Sequence, residues 1–447
     1  MRLLLQSLLI LCWWLSGMVS AAQFQAADDA TLQRLLQQAN SGDEIVLQGG
    51  RYRGPLMIDK AIQLRGVVGA SPAIIDSGGV GHGLEIRSPR VVIANLQIEN
   101  WGRDLGQLHA GIFIHKQASA SRIIHNRLQG IGFGIWVDAA ADVEITANQI
   151  EGDDRVRSED RGNGIHLFNV SGALVKDNEV WHSRDGIYID SSNFNRLEGN
   201  LLRDLRYGVH YMYSHSNQVL GNITLRTRTG YALMQSKRLT VRDNLSYQDM
   251  NYGILMNFIT DSDISGNQVF EVQSARTPQQ QGGSKVLGGE GKALFVYNSL
   301  YNRIEGNLFA RSDLGVHLTA GSEDNQLQGN AFIHNRTQVK YVSTRSQEWS
   351  VEGQGNYWSD YLGWDHNEDG LGDAYYEPND GVDRLLWQYP SARMLFNSPA
   401  VLTLRWVQRQ FPVFRPPGVR DSYPLMATPL AVMPIETLLQ ERGYGGR

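Results

Sequence analysis

His210 and Met212 stand two residues apart, and Met234 follows Met212 after 22. Thioether sulfur is a soft donor that selects Cu(I), and imidazole accepts copper in either oxidation state. His166 precedes His210 by 44 residues, twice the same interval. His166, His210, Met212 and Met234 are therefore candidate copper ligands, provided a 22-residue step brings equivalent residues together. A second donor set is oxygen-rich. Asp365, Asn367, Asp369 and Asp373 occupy positions 1, 3, 5 and 9 of a segment with Gly370 at position 6. This matches the front half of a Ca²⁺ loop, although position 12 is Tyr376 and the expected glutamate is one residue on, at Glu377. A bound Ca²⁺ would be structural here; the alternative is an Asx-turn loop closing the end of the fold.

The elements that position these donors follow from a repeat. Asn178, Asn200, Asn222 and Asn244 recur every 22 residues, and Asn267 follows at 23. Asn126 to Asn148 is again 22, and Asn307 to Asn330 is 23. Gly134, Gly186, Gly208, Gly230 and Gly315 each come eight residues after such an asparagine. A fixed period of this length marks a solenoid. Within each unit the residues alternate apolar and polar, as in Gly186-Ile187-Tyr188-Ile189-Asp190, which is a strand pattern. The fold class is all-β: a right-handed parallel β-helix with coils of about 22 residues. Coils stack about 4.8 Å apart, so a 22-residue step places one side chain directly above another. The asparagines are expected to ladder their amides up a corner and to tolerate its left-handed backbone, with the glycines doing the same.

Counting from each glycine separates inside from outside. Ile112/Ile114, Ile135/Val137, Ile165/Leu167, Ile187/Ile189, Val209/Tyr211 and Tyr231/Leu233 point inward. One outward column then reads Phe113, Trp136, His166, Tyr188, His210, with His317 further on. The next reads His115, Asp138, Phe168, Asp190, Met212, Met234. Met256 keeps the 22-residue spacing, but an extra residue before Gly253 turns it inward. Such a band, if exposed, is a binding surface. Phe113, Trp136 and Tyr188 would contact a partner or stack on sugar rings, while the His and Met side chains suit copper. The competing reading is that a loop covers the band as a secondary core. Two longer intervals, 30 residues from Asn148 to Asn178 and 40 from Asn267 to Asn307, predict loops at Asp153–Arg161 and Ser274–Gly291.

Catalysis on a β-helix needs paired carboxylates, or a base with a partner for substrate charge. Gly81-His82-Gly83 and Asp153-Asp154 match two of the four signatures of polygalacturonase-like enzymes, and the other two are missing. His166, Asp190 and His210 would be the remaining acid/base cluster. No complete catalytic constellation is found. The net charge of −5 excludes a polyanion-binding footprint, hence nucleic acid.

Arg2, the apolar run Leu3 to Leu15 and Val19-Ser20-Ala21 read as a secretory signal over residues 1–22. The lone cysteine, Cys12, lies inside it, so the exported chain has neither thiol nor disulfide. Thr31 to Gln38 reads as a helix capping the first coil, the solenoid as 23–341, and 342–390 as terminal coils with the acidic loop. The tail, 391–447, opens with an amphipathic helix over Pro399 to Gln410 and a Pro-rich stretch. Trp406, Phe411 and Pro412 are its candidate docking residues, set against packing back on the last coil.

The chain resembles the NosD family of nitrous-oxide reductase maturation. The likeness covers the signal, the repeats, Asn356-Tyr357-Trp358-Ser359-Asp360-Tyr361 with its acidic loop, and the tail. The tail carries the most specific part: Ser398-Pro399-Ala400, Gln410-Phe411-Pro412-Val413 and Pro424-Leu425-Met426. The resemblance implies a non-enzymatic periplasmic protein that sits on an ABC-type membrane permease with its ATPase. It further implies copper delivery to apo nitrous-oxide reductase, with a periplasmic copper chaperone as a further partner. No metal-ligand motif carries over with it. The alternative is a secreted carbohydrate-binding or polysaccharide-cleaving β-helix.

Overall fold

Three-residue strands bury little alone; stacked in register they share one continuous core. The computed structural model describes residues 21–69, 71–274, 290–319, 321–342, 345–389, 398–411, 417–430 and 433–441. The signal segment up to residue 20, most of the Ser274–Gly291 loop and Pro412 lie outside the described residues. Among them, three parallel sheets of 13, 12 and 13 strands run the length of the molecule. Each full coil gives one strand to each sheet, and every strand pairs with its counterpart one coil away. Ile187 lies opposite Val209, and Val209 opposite Tyr231. The inward pairs read from the sequence all fill the interior, with Tyr211 and Tyr231 its largest members in mid-solenoid. Met256 is also inside, fully buried between Leu233 and Val296.

The asparagine ladder forms as expected. Asn200 donates from its backbone N (3.1 Å) and its Nδ2 (2.8 Å) to Oδ1 of Asn222, and Asn222 donates likewise to Asn244. The same Nδ2 groups also reach carbonyls of the first sheet, Asn200 to Val175 at 2.9 Å. The backbone detail differs from expectation. The left-handed residue is the one before each asparagine: Asp177, Gly199, Gly221 and Asp243 have φ of 52°, 63°, 61° and 57°. Gly186 and Gly208 have no positive φ. A Cβ on Gly186 would lie 2.6 Å from the carbonyl oxygen of Gly208 and 2.9 Å from Leu202, so close stacking excludes a side chain there.

Helix α1 (Asp29–Gln38) closes the first coil, capped by Asp28, whose carboxylate accepts the Thr31 N–H at 2.8 Å. Leu32 and Leu35 enter the core beneath it. The predicted Asp153–Arg161 loop leaves the coil and contains the 3₁₀ turn Ser158–Asp160. Arg161 ties the loop down by donating to the carbonyls of Val156, Asp154 and His182.

The tail divides. Helices α2 (Gly381–Gln388) and α3 (Pro399–Gln410) are joined by Arg405, which pairs with Asp380 at 3.1 Å and Asp383 at 2.8 Å. Beyond them the chain returns to the solenoid. Asp421 is fully buried and accepts from the Asn356 N–H at 2.7 Å and from Trp358 Nε1 at 2.8 Å, so it ends the asparagine ladder. Helix α4 (Ile435–Glu441) brings Ile435 and Leu438 into one apolar cluster with Leu201, Ile223, Leu245 and Leu308 on the outer face of the third sheet. The segment after 417, expected as part of a free docking tail, is thus largely a cap.

One buried carboxylate gives the core a pH signature. Asp249 accepts from Thr224 Oγ1, Thr227 N, Thr227 Oγ1 and Ser246 Oγ, each at 2.7 Å. Burial nevertheless pushes its carboxyl up to about 6. A folded value above the unfolded one contributes stability fully present below about pH 4 and lost as pH rises through about 6. Asp249→Asn should remove about 3 kcal/mol of pH-dependent stability between pH 4 and 7, read as the difference between wild-type and variant urea-unfolding curves. Parallel wild-type and variant profiles would refute it.

Candidate functional site

Strand register puts Phe113, Trp136, His166, Tyr188, His210 and Ala232 one above another on the outer face of the second sheet. Leu255, Phe295 and His317 continue the column. Its rings are in contact: Trp136 to His166 at 3.9 Å, His166 to Tyr188 at 4.6 Å and Tyr188 to His210 at 4.4 Å between centroids. The orientation is as read from the sequence, but the exposure is not. Phe113 and Trp136 are each 6% exposed, His166 7% and His210 8%. A second layer seals them. Phe133 packs edge-on against Trp136 and His166, Leu105 and Leu108 pack on the Phe113–Trp136 cluster, and Tyr207 packs edge-on against His210. Phe113 and Trp136 therefore form a satellite core, not an open partner surface; Tyr188 is half-buried.

Inside this layer the two histidines are oriented differently. Nδ1 of His166 meets Nδ2 of Asn163 at 3.2 Å. Nδ1 of His210 lies 3.0 Å from Oδ2 of Asp185, and Arg206 donates to both oxygens of that carboxylate, at 2.8 and 2.6 Å. Asp185 is 1% exposed. Burial alone would raise its carboxyl; the hydrogen bonds from His210 and Arg206, with the guanidinium charge, hold it below the usual range. Burial depresses the His166 imidazole to about 3. Nε2 of each histidine is buried without a hydrogen-bond partner. An orphaned buried acceptor costs roughly 1–3 kcal/mol, and a bound metal is one way of satisfying it.

Tyr188 separates His166 from His210 by two coils, about 9–10 Å, too far to share one ion. His210, Met212 and Met234 share one face of the second sheet. Met212 follows His210 on the same face, Met234 is beside it one coil on, and both are half-buried. Ala232, directly above His210, adds only a methyl to a column of large side chains. Among the described residues no three His, Cys, Asp or Glu side chains are placed to hold a metal ion. A copper site on this face would have to draw on the methionines. The His166–Asp190–His210 acid/base cluster is not assembled: Asp190 sits in the next column and bonds to Ser191. The carboxylate on His210 is Asp185, which the outward-column count passed over because it precedes Gly186.

Asp365, Asn367 and Asp369 fold into one loop, with Gly370 at φ 84°. Their oxygens accept local donors. Asp365 takes the N–H groups of Asp369 and Gly370, Asp369 takes that of Leu371, and Asp373 takes that of His366. This is an Asx-turn arrangement. Trp406 (59% exposed) and Phe411 (54%) on and after α3 are open to solvent, joined there by Leu402; Pro412 lies outside the described residues.

The exposed apolar surface that the column count missed is at the corner after the second sheet. Phe194, Tyr213, Phe258 and Tyr301 are 68%, 54%, 48% and 60% exposed, and their φ values are 59°, 51°, 54° and 58°. A bulky side chain in this conformation costs roughly 1–2 kcal/mol, so these rings are strained as well as solvent-facing. Their signal in the sequence is position: Phe194 and Tyr301 immediately precede Asn195 and Asn302, and Tyr213 and Phe258 follow second-sheet strands. A separate groove of about 740 Å³ is lined by Trp101, Glu99, Glu151, Asp154 and His182, among others. Asp153, at its rim, is locked to Arg155 and held down to about 2.

The architecture is that of the parallel β-helix proteins. It superposes on the Dettilon tailspike protein with a TM-score of 0.50 over 73% of this chain and 69% of that one, at 13% identity. It superposes on a PL6 alginate lyase with a TM-score of 0.51 over 72% and 82%, also at 13%; at that identity the likeness is one of fold. The chain itself belongs to the NosD family. It is 58% identical over 385 residues to a "Probable ABC transporter binding protein NosD" of Pseudomonas aeruginosa, covering 86% of this chain and 88% of the relative. It is 57% identical to the protein of the same description from Stutzerimonas stutzeri, covering 89% and 88%. Residues 146–363, which include His166, His210, Met212 and Met234, match the family described as "Periplasmic copper-binding protein (NosD)". No helix among the described residues is long and apolar enough to cross a membrane.

Burial separates two kinds of aromatic residue here. Trp136→Ala should cost about 3–5 kcal/mol of folding stability, as a core truncation does. Phe194→Asn should leave stability unchanged or raise it by about 0.5–1 kcal/mol, because asparagine tolerates the left-handed turn. Chemical denaturation of both variants checks this; an equal loss in the two would contradict the assignment.

Proposed function

We propose that this protein is the periplasmic solenoid of an ABC-type copper-delivery system that assists copper-site assembly in nitrous-oxide reductase without catalysing a reaction. The observation that carries the copper reading is the buried, unpartnered Nε2 of His210 on the sheet face that also carries Met212 and Met234. Copper is cargo on this reading. A soft imidazole–thioether set holds Cu(I), and the absence of a thiolate favours its release to a stronger site. The family description and the names of the relatives support copper and an ABC transporter as the setting. The partners are a membrane permease with its ATPase, apo nitrous-oxide reductase and a periplasmic copper chaperone. The exposed rings of Phe194, Tyr213, Phe258 and Tyr301 along the corner after the second sheet, with Tyr213 next to Met212, are the surface offered to client or chaperone. Leu402, Trp406 and Phe411, with Pro412, are offered to the permease.

Cu(I) titration of the signal-free protein against a competing chelator tests the site. His210→Ala/Met212→Ala/Met234→Ala is expected to weaken binding about tenfold or more, while His166→Ala leaves it unchanged. Equal affinity in the triple variant would sink the assignment. Docking is tested by Leu402→Ser/Trp406→Ser/Phe411→Ser, chosen because deletion of the tail would also remove Asp421 from the end of the ladder. The variant should fold normally and lose co-purification with the permease; retained co-purification would place the contact elsewhere.

A second reading, a carbohydrate-binding solenoid, is favoured by the groove beside Trp101. Retention of the protein on a neutral polysaccharide column, abolished by Glu151→Ala/His182→Ala at the groove wall, would support it over the first.

A further inference from the structure

The copper reading names His210 as a ligand but leaves open what makes its buried nitrogen available. An imidazole carries one proton on either of two nitrogens, and only the bare one can bind a metal. In this chain the choice is made by residues outside the His–Met trio. Asp185 is buried one coil below and presents Oδ2 to Nδ1 of His210 at 3.0 Å. That oxygen can only accept, so the proton sits on Nδ1 and the lone pair on Nε2. Arg206 fixes the acceptor in turn. Its Nε and Nη2 reach the two carboxylate oxygens at 2.8 and 2.6 Å, and its guanidinium lies 4.5 Å over the ring of Tyr207, which packs edge-on against His210. The carboxylate can neither rotate away nor take up a proton without breaking these bonds. His166 lacks such an arrangement: its Nδ1 faces the amide nitrogen of Asn163, which donates, and that contact favours the opposite tautomer.

We propose that Asp185, clamped by Arg206, is a positioning residue that holds His210 in the Nδ1–H tautomer and so presents Nε2 to Cu(I) beside Met212 and Met234. This rests on the copper reading above. It assigns the two histidines of the column different roles: His210 is preset as a ligand, and His166 is packing. A carboxylate behind a ligating imidazole orients the ring and raises its basicity, and its loss typically weakens metal affinity 10- to 100-fold.

The test uses the mature full-length protein with ¹⁵N-labelled histidine. Long-range ¹H–¹⁵N spectra of the wild type should show His210 with a proton on Nδ1 and none on Nε2, and added Cu(I) should shift the Nε2 resonance. Asp185→Leu/Arg206→Met removes acceptor and clamp together, so that no buried cation is stranded. In it the His210 tautomer should no longer be fixed, and Cu(I) affinity against a chelator should fall 10- to 100-fold. A wild-type His210 protonated on Nε2 overturns the proposal without recourse to any variant. Copper binding that leaves the His210 nitrogens unmoved overturns it and moves the copper site off His210, while Cu(I) carriage by the protein stands. Failure of the wild type to bind Cu(I), with the Nδ1–H tautomer present, brings down both.

Discussion

The structure depends on stacking identical corners at one fixed spacing. Each ladder asparagine accepts two hydrogen bonds from the coil before it and gives two to the coil after, so each coil sets the height and register of the next. Because strand pairing is parallel and the period holds at 22 or 23 residues, every other side chain inherits that register. Columns of like residues follow: isoleucines and valines inside, rings and imidazoles outside. A one-residue slip would exchange the two faces. The insertions at 153–161 and around 275–289 leave the ladder intact, since Asn148 still bonds Asn178 and Asn267 still bonds Asn307.

A ladder has an end, and this one is closed by chemistry different from its own. Asn356 is the last amide, and its acceptor is the carboxylate of Asp421, brought back from 65 residues away. A carboxylate offers more lone pairs than an amide and takes the Trp358 indole N–H and the Tyr423 N–H as well. Burial raises its carboxyl above the usual range, so closing the end has an electrostatic cost, offset in part by four donors: the Asn356 N–H and Nδ2, Trp358 Nε1 and the Tyr423 N–H. At the other end α1 does the same job with leucines. The two caps leave the corner after the second sheet and α3 as the places where the chain presents unusual surface.

The fold was legible because it is written many times over. Asparagine spacing, the inward pairs, Met256 turned inward, the N-terminal helix and the 153–161 loop could all be read from period and alternation. The outward direction of the columns was legible too, but their burial was not. Alternation says which face a side chain takes; it does not say whether Phe133, Leu105 and Tyr207 will lie over it, since they come from turns and excursions outside the strand pattern. Asp185 escaped for the same reason, standing before the glycine from which outward positions were counted. The glycines were recognised but misread: they make room for the next coil's backbone, and aspartates and other glycines take the left-handed turns. In the tail the apolar residues were visible, but their division between cap and open surface depends on Asp421 and α4 meeting a solenoid more than 60 residues earlier in the chain.

The sealed column and the open corner lie side by side, and their difference bears on function. Where coils stack rings on rings beneath a second layer, burial stabilises the fold, and the unsatisfied Nε2 atoms of His166 and His210 are departures that packing alone does not require; only at His210 does a clamped carboxylate stand behind the ring. A leucine, as at 255 in the same column, fills such a place without an orphaned acceptor. At the corner the departure is opposite. Phe194, Tyr213, Phe258 and Tyr301 combine left-handed backbone with exposed rings, where asparagine or glycine would relieve both, as Asn169 and Gly172 do in equivalent turns. Two sets of residues that cost stability, one buried and one exposed, flank Met212. Local departures from an otherwise consistent repeat are where a repetitive fold carries its specific work.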